Sequence, residues 1–144
     1  MASSALILVD SWAWIALADK SDPYHRIAKP THKTLGRSKR TYVTTNFVVS
    51  EVITFLYSAA PAAQAQAYLA SLFAAFDAGT HTLVHVSPDQ FRRAWAMRQK
   101  YHDKPDISFV DFTSMVVMHD LGITEVFTGD DHFRQVNLGF QLVP

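Results

Sequence analysis

With 144 residues, no cysteine, and 13 basic against 13 acidic side chains, the chain has room for one core but no means to build disulfides, thiolate metal sites or a thiol nucleophile. Zero net charge at pH 7 excludes a global basic field of the kind that draws a protein onto nucleic acid, so any such binding has to be local. Charged residues make up 18% of the chain and hydrophobic ones 49%, against a usual ~25% charged, so much of the chain must be buried, some of it against a partner.

In chain order, Ala5 to Val9 is a continuous apolar run, the pattern of a parallel strand covered on both faces, and Asp10 ends it. That run is too short for a signal peptide, and no stretch approaches the ~20 apolar residues of a membrane span, so a soluble cytoplasmic protein without membrane contact is expected. Ser11 to Ala18 reads as a short helix, and after the turn Ser21-Asp22-Pro23 a second helix runs from about Tyr24 to Leu35. His32, Lys33, Arg37, Lys39 and Arg40 crowd around Gly36 in a basic loop, either a solvated charged face or a grip for phosphates. Thr41-Tyr42-Val43 is a second strand, and Thr44 or Thr45 caps a helix to about Ser58. Its apolar stripe is Phe47, Val48, Val52 and Phe55, and Glu51 falls within it. A carboxylate there needs a partner, a cation or an edge from which to reach water.

Pro61 opens an alanine-rich helix to about Ala78, and Thr82 to Val86 reads as a third strand. Ser87-Pro88-Asp89 starts a helix carrying Phe91, Arg92, Arg93, Trp95, Arg98 and Lys100, a second local basic surface. Ser108 and Asp111 form the capping box of a helix from Phe109 to Leu121, apolar on most sides and therefore a core element. Gly122 closes it, Glu125 to Thr128 is β-prone, Gly129-Asp130-Asp131 turns away from that strand, and Gly139 to Val143 supplies a last strand. Alternating strands and helices predict a single α/β domain over residues 1–144, a three-layer α/β/α arrangement with a mostly parallel central sheet.

Asp10 and Asp130 each stand just past a buried strand, Asp111 lies in the first turn of a buried helix, and Glu51 is the fourth acid. Each has a local explanation as cap, capping-box member, Asx-turn residue or edge acid. Together they point to the carboxyl edge of one sheet, where open α/β folds bind ligands. Converging carboxylates repel each other unless cations neutralise them, and an oxygen-only donor set suits Mg²⁺ or Mn²⁺ better than Zn²⁺. Such sites cut phosphodiesters. The chain holds no G-x-x-x-x-G-K, G-x-G-x-x-G, G-x-S-x-G or H-E-x-x-H. Its histidines are scattered, and His132, beside Asp130, is the one placed to touch substrate.

Val9-Asp10-Ser11, Thr44-Thr45-Asn46 followed by Glu51, Ser108-Phe109-Val110-Asp111, Thr128-Gly129-Asp130-Asp131-His132-Phe133 and the closing Gly139-Phe140 with Leu142 span nearly the whole chain. In that order they resemble the PIN-domain ribonucleases, and within them the VapC-type toxins of toxin–antitoxin pairs. The resemblance implies a PIN-like fold and a divalent-metal-dependent endoribonuclease. It implies that Asp10, Glu51, Asp111 and Asp130 hold one or two Mg²⁺ or Mn²⁺ ions and that Ser11 and Thr128 support them. It also implies an RNA substrate and a cognate antitoxin. Asp106 and Asp131 are acidic and nearby, either ligating through water or binding nothing. The apolar excess and the helix pair from Thr45 to Ala78 predict a homodimer whose groove takes an amphipathic antitoxin segment. The rivals are a receiver-like Mg²⁺-binding signalling domain and a non-catalytic interaction module.

Overall fold

The computed structural model describes residues 5–144, so residues 1–4 of the expected domain lie outside the described residues. In chain order the elements are β1 (Leu6–Val9), α1 (Ser11–Ala18), α2 (His25–Arg37), β2 (Thr41–Thr45), α3 (Asn46–Ala59), α4 (Ala62–Asp77), β3 (Thr82–Val84), α5 (Pro88–Lys100), α6 (Phe109–Leu121), β4 (Glu125–Phe127), α7 (His132–Gln135) and β5 (Gln141–Val143). The strands pair in parallel throughout, in the order β3-β2-β1-β4-β5. Chain progression runs one way from β1 to β3 and then restarts on the other side of β1 with β4. The carboxyl ends of β1 and β4 therefore flank the switch point at which such sheets open a crevice. Receiver-like sheets run in the order 2-1-3-4-5, which counts against that rival.

Successive strand residues face opposite sides. Ile7, Val9, Tyr42 and Phe127 enter one core with Trp14 of α1, Leu35 of α2, Val48, Val52 and Leu56 of α3, and Leu69 and Leu72 of α4. Leu8, Val43 and Val126 enter the other with Ala94 of α5, Phe112, Met115 and Met118 of α6, and Phe133 of α7. Two cores on one sheet make the three layers expected.

Local chemistry fixes the helix ends. α6 begins on the Ser108/Asp111 capping box and stops at Gly122, whose φ of 69° is the left-handed conformation that closes a helix without a Cβ clash. Thr45 caps α3 by accepting from the Val48 amide at 3.1 Å. Thr44 turns inward instead, donating to the Val9 carbonyl at 3.0 Å and accepting from Trp14 Nε1 at 3.3 Å, which straps α1 across β1 and β2.

Several boundaries differ from expectation. β2 extends to Thr45, β3 ends at Val84, β5 begins only at Gln141, and α2 continues to Arg37 because neither Pro30 nor Gly36 interrupts it; a short helix, α7, also forms immediately after the acidic turn. His32, Lys33 and Arg37 are thus helical, and the chain turns only at Lys39, at φ 56°.

Candidate active site

Asp10 leaves the sheet at the end of β1, with its amide still bonded to the Phe127 carbonyl of β4 at 3.2 Å. It occupies the N-cap position of α1, yet its side chain makes no capping bond, so the cap explanation fails. The residue is 2% exposed. Oδ2 accepts from Thr128 Oγ1 at 3.0 Å, and Oδ1 is buried with no hydrogen-bond partner. Burial, and after it the Asp111 charge, push this carboxyl up to about 7; the Ser11 amide and the Thr128 hydroxyl oppose them, and Asp130 adds a smaller push upward.

Thr128, fully buried just past β4, joins two acids through one hydroxyl. While Oγ1 donates to Asp10, it accepts from the Asp130 amide at 3.1 Å. Asp130 Oδ1 accepts from the His132 amide at 3.1 Å, an Asx turn that aims the acid back at the crevice. Asp111, 6% exposed, uses Oδ2 for the Ser108 amide at 3.1 Å and for His132 Nδ1 at 2.9 Å, so it completes the capping box and faces the cluster at once. Burial raises its carboxyl, against the His132 and Ser108 bonds. His132 Nδ1 is also 3.0 Å from Asp130 Oδ2. Ligand atoms of Asp111, Asp130 and His132 all lie within 4.8 Å of one another.

Glu51 requires a correction. The face that α3 buries is Val48, Val49, Val52 and Leu56, which places Glu51 on the adjacent, more open line with the half-buried Phe47 and the exposed Phe55. A 100° rotation per residue separates those two lines, and on a helix apolar on most sides the sequence does not choose between them. Glu51 lies at the rim, in a groove with Ser11, Ile15, Ser50, Thr54 and Phe55. Its carboxyl is raised by partial desolvation and then by the Asp111 charge, with the Ser11 hydroxyl lowering it. Asp111 thus acts on both Asp10 and Glu51, and the four acids share one field.

Asp106 and Asp131 are both exposed, with Asp131 paired to Arg134 at 2.9 Å. Of the basic cluster around Gly36, Arg40 is committed to the frame of the sheet rather than held open for a phosphate. Arg40 pairs with Glu125 at 2.8 Å and donates to the Ala5 and Leu6 carbonyls, at the amino ends of the strands and so across the sheet from the acids. Sequence reasoning missed two features: the imidazole bridge between Asp111 and Asp130, signalled only by the proximity of His132 to Asp130, and the seating of Trp12 on Gly129. A Cβ on Gly129 would come within 2.3 Å of the Trp12 ring.

Carboxylate oxygens with one imidazole suit a hard divalent cation, and the unpartnered buried Asp10 Oδ1 is the group such an ion would satisfy. Residues 7–138 match the PIN domain. The chain belongs to the PIN-domain family. Among curated PIN-type relatives it is 35% identical over 135 residues to the 23S rRNA-specific endonuclease VapC20 of Mycobacterium tuberculosis, covering 89% of this chain and 92% of that one. The crystal structure of VapC20, described as a Sarcin-Ricin loop cleaving toxin, superposes with a TM-score of 0.75 at 31% identity over 94% of this chain and 96% of that one. The five-stranded sheet and its flanking helices are therefore those of a PIN fold. No helix among the described residues is long and apolar enough to cross a membrane.

Proposed function

We propose that this PIN-domain chain, a single domain over residues 1–144, is a divalent-cation-dependent endoribonuclease and the toxin of a toxin–antitoxin pair. The observation that carries this reading is Asp10: a buried carboxyl that caps nothing, leaves Oδ1 unpartnered and feels the charges of Asp111 and Asp130. Burying such a group among like charges costs stability unless a cation is part of the site. Asp10, Glu51, Asp111 and Asp130 would hold Mg²⁺ or Mn²⁺, with Ser11 and Thr128 in support. A divalent cation held there supplies Lewis acidity toward phosphate oxygens and acidifies an attacking water.

The chain's own groups do the positioning. Thr128 locks Asp10 and the Asp130 turn into one geometry through a single hydroxyl. His132 fixes the separation of Asp111 and Asp130 from the open side, where it meets the substrate phosphate. Glu51, the most open of the four acids, would hold the cation from the solvent side of the site. No side-chain nucleophile is needed.

VapC20 is named for cleaving 23S rRNA, so structured rRNA is the first substrate to try with this chain. Cleavage is expected with Mg²⁺ or Mn²⁺ and is abolished by EDTA; EDTA-resistant cleavage by pure protein would overturn the reading. In the cytoplasm the partners are RNA, a cognate antitoxin and a second copy of the chain. Phe55, Tyr57 and Phe73 on α3 and α4 are each more than 40% exposed, which supports an apolar protein contact there. A chain that stays monomeric by light scattering, alone and with the product of its neighbouring gene, would rule out both protein partners.

A further inference from the structure

We propose that the outer face of α5 stacks unpaired bases of the RNA beside the acid cluster, with Phe91 and Trp95 as the stacking side chains. This rests on the ribonuclease reading above and names the substrate feature that the site selects. The Phe91 ring lies 5.1 Å from Phe109 and 6.2 Å from Phe47. Phe109 is the first residue of α6, shortly before Asp111, and Phe47 is one turn before Glu51 on α3, so Phe91 sits between the two helices that deliver those acids. Despite these neighbours Phe91 is 47% exposed, and Trp95, one turn further along α5, is 54% exposed. From Trp95 the surface continues into a hollow shared with Arg98, Gln99, His102 and Pro105.

Rings left half in water next to a site that cuts RNA suit unpaired nucleotides, because every base offers a π-face and only an unstacked base can present it. Charge favours RNA over protein on this face. α5 carries Arg92, Arg93, Arg98 and Lys100 against Asp89, whereas α3 and α4, with their own exposed rings, contain no lysine or arginine. Arg93 is tied to Asp89 and Asp120, and Arg98 to the carbonyls of Tyr101, Lys104 and Ile107. Arg92 is exposed beside Phe91 without a hydrogen-bonded or ion-paired partner among the described residues, free to meet a phosphate or stack on a base.

Binding measured in EDTA tests the face without cleavage. The full chain is titrated into an end-labelled single-stranded RNA oligonucleotide and into the same strand annealed to its complement, followed by fluorescence anisotropy. Phe91→Ala, Trp95→Ala and Trp95→Phe are compared with Leu138→Ala, an equally exposed apolar residue outside this face. Expected are tighter binding of the single strand than of the duplex, a loss of roughly tenfold in each α5 alanine variant, and retention of most affinity in Trp95→Phe and Leu138→Ala. RNA should also quench tryptophan fluorescence in the wild type and much less in Trp95→Ala. Equal affinity for single strand and duplex, or wild-type binding by both alanine variants, would overturn the proposal. So would a change of oligomeric state in those variants with RNA affinity intact, which would make this face a contact between copies. Inactive protein that still binds in the expected pattern sinks the metal-dependent reading alone; active protein without the pattern sinks the stacking face alone.

Discussion

Asp10 distinguishes a ligand from a cap by its energetics. Asn has nearly the same shape without the charge, so Asp10→Asn removes repulsion from Asp111 and Asp130 while leaving packing in place. In EDTA the variant should melt above wild type. Mn²⁺ at a hundredfold excess over Kd should stabilise wild type by roughly 2.7 kcal/mol and the variant much less; equal gains would exclude Asp10 from the ligand set. Proton linkage gives a second measurement. The Asp10 carboxyl is raised from 3.8 to about 7 in the folded chain, so between those values the native state holds a proton that the unfolded chain has released. Stability from this group is full below the lower value and is lost as pH rises through the upper one. Metal-free wild type should therefore melt lower at about pH 8 than at about pH 5, with a flatter profile in Asp10→Asn. Identical profiles for the two proteins would contradict the assignment.

The turn leaving β4 carries Thr128 and Asp130, and what holds it is the indole of Trp12, itself packed against Tyr24 with ring centroids 5.4 Å apart. Gly129 is needed there for space: its φ is unexceptional, but an added Cβ meets the Trp12 ring at 2.3 Å. Gly129→Ala should cost about 1–3 kcal/mol through overpacking and should lower cleavage, because the shifted turn carries an acid of the site. A smaller side chain at Trp12 should recover part of the stability, and a double variant no better than Gly129→Ala would refute the contact. Such pairings explain what the sequence left unread. The Ser108/Asp111 box, the stop at Gly122 and the buried run of β1 are local signals, and each was legible. The seat of Trp12, the bridge made by His132 and the line of α3 on which Glu51 falls depend on tertiary packing that no local pattern encodes.

Across the whole molecule, zero net charge conceals an acid cluster at one end of the sheet and a neutral ion pair at the other. The acids gather at the carboxyl ends of the strands, and Arg40 lies at the amino ends. In sequence Arg40 is one of several cations near Gly36; only the register that pairs Leu6 with Thr41 brings it beside the start of β1 and against Glu125 of β4. With the Ala5 and Leu6 carbonyls and the Glu125 carboxylate as its acceptors, the guanidinium ties three segments together. Arg40→Ala should cost about 1.5–3 kcal/mol, the worth of hydrogen bonds to a charged group, while cleavage and the stabilisation gained from Mn²⁺ stay at wild-type levels. A phosphate grip predicts the reverse: a melting temperature near wild type, weaker RNA binding and a shallower salt dependence. Adding Glu125→Ala separates the two further. If the pair is structural, the double variant loses less than the two single losses combined, because each single change already breaks the shared ion pair. Strict additivity in the melts, together with a fall in RNA affinity for Arg40→Ala alone, would move Arg40 from the frame of the sheet to its substrate surface.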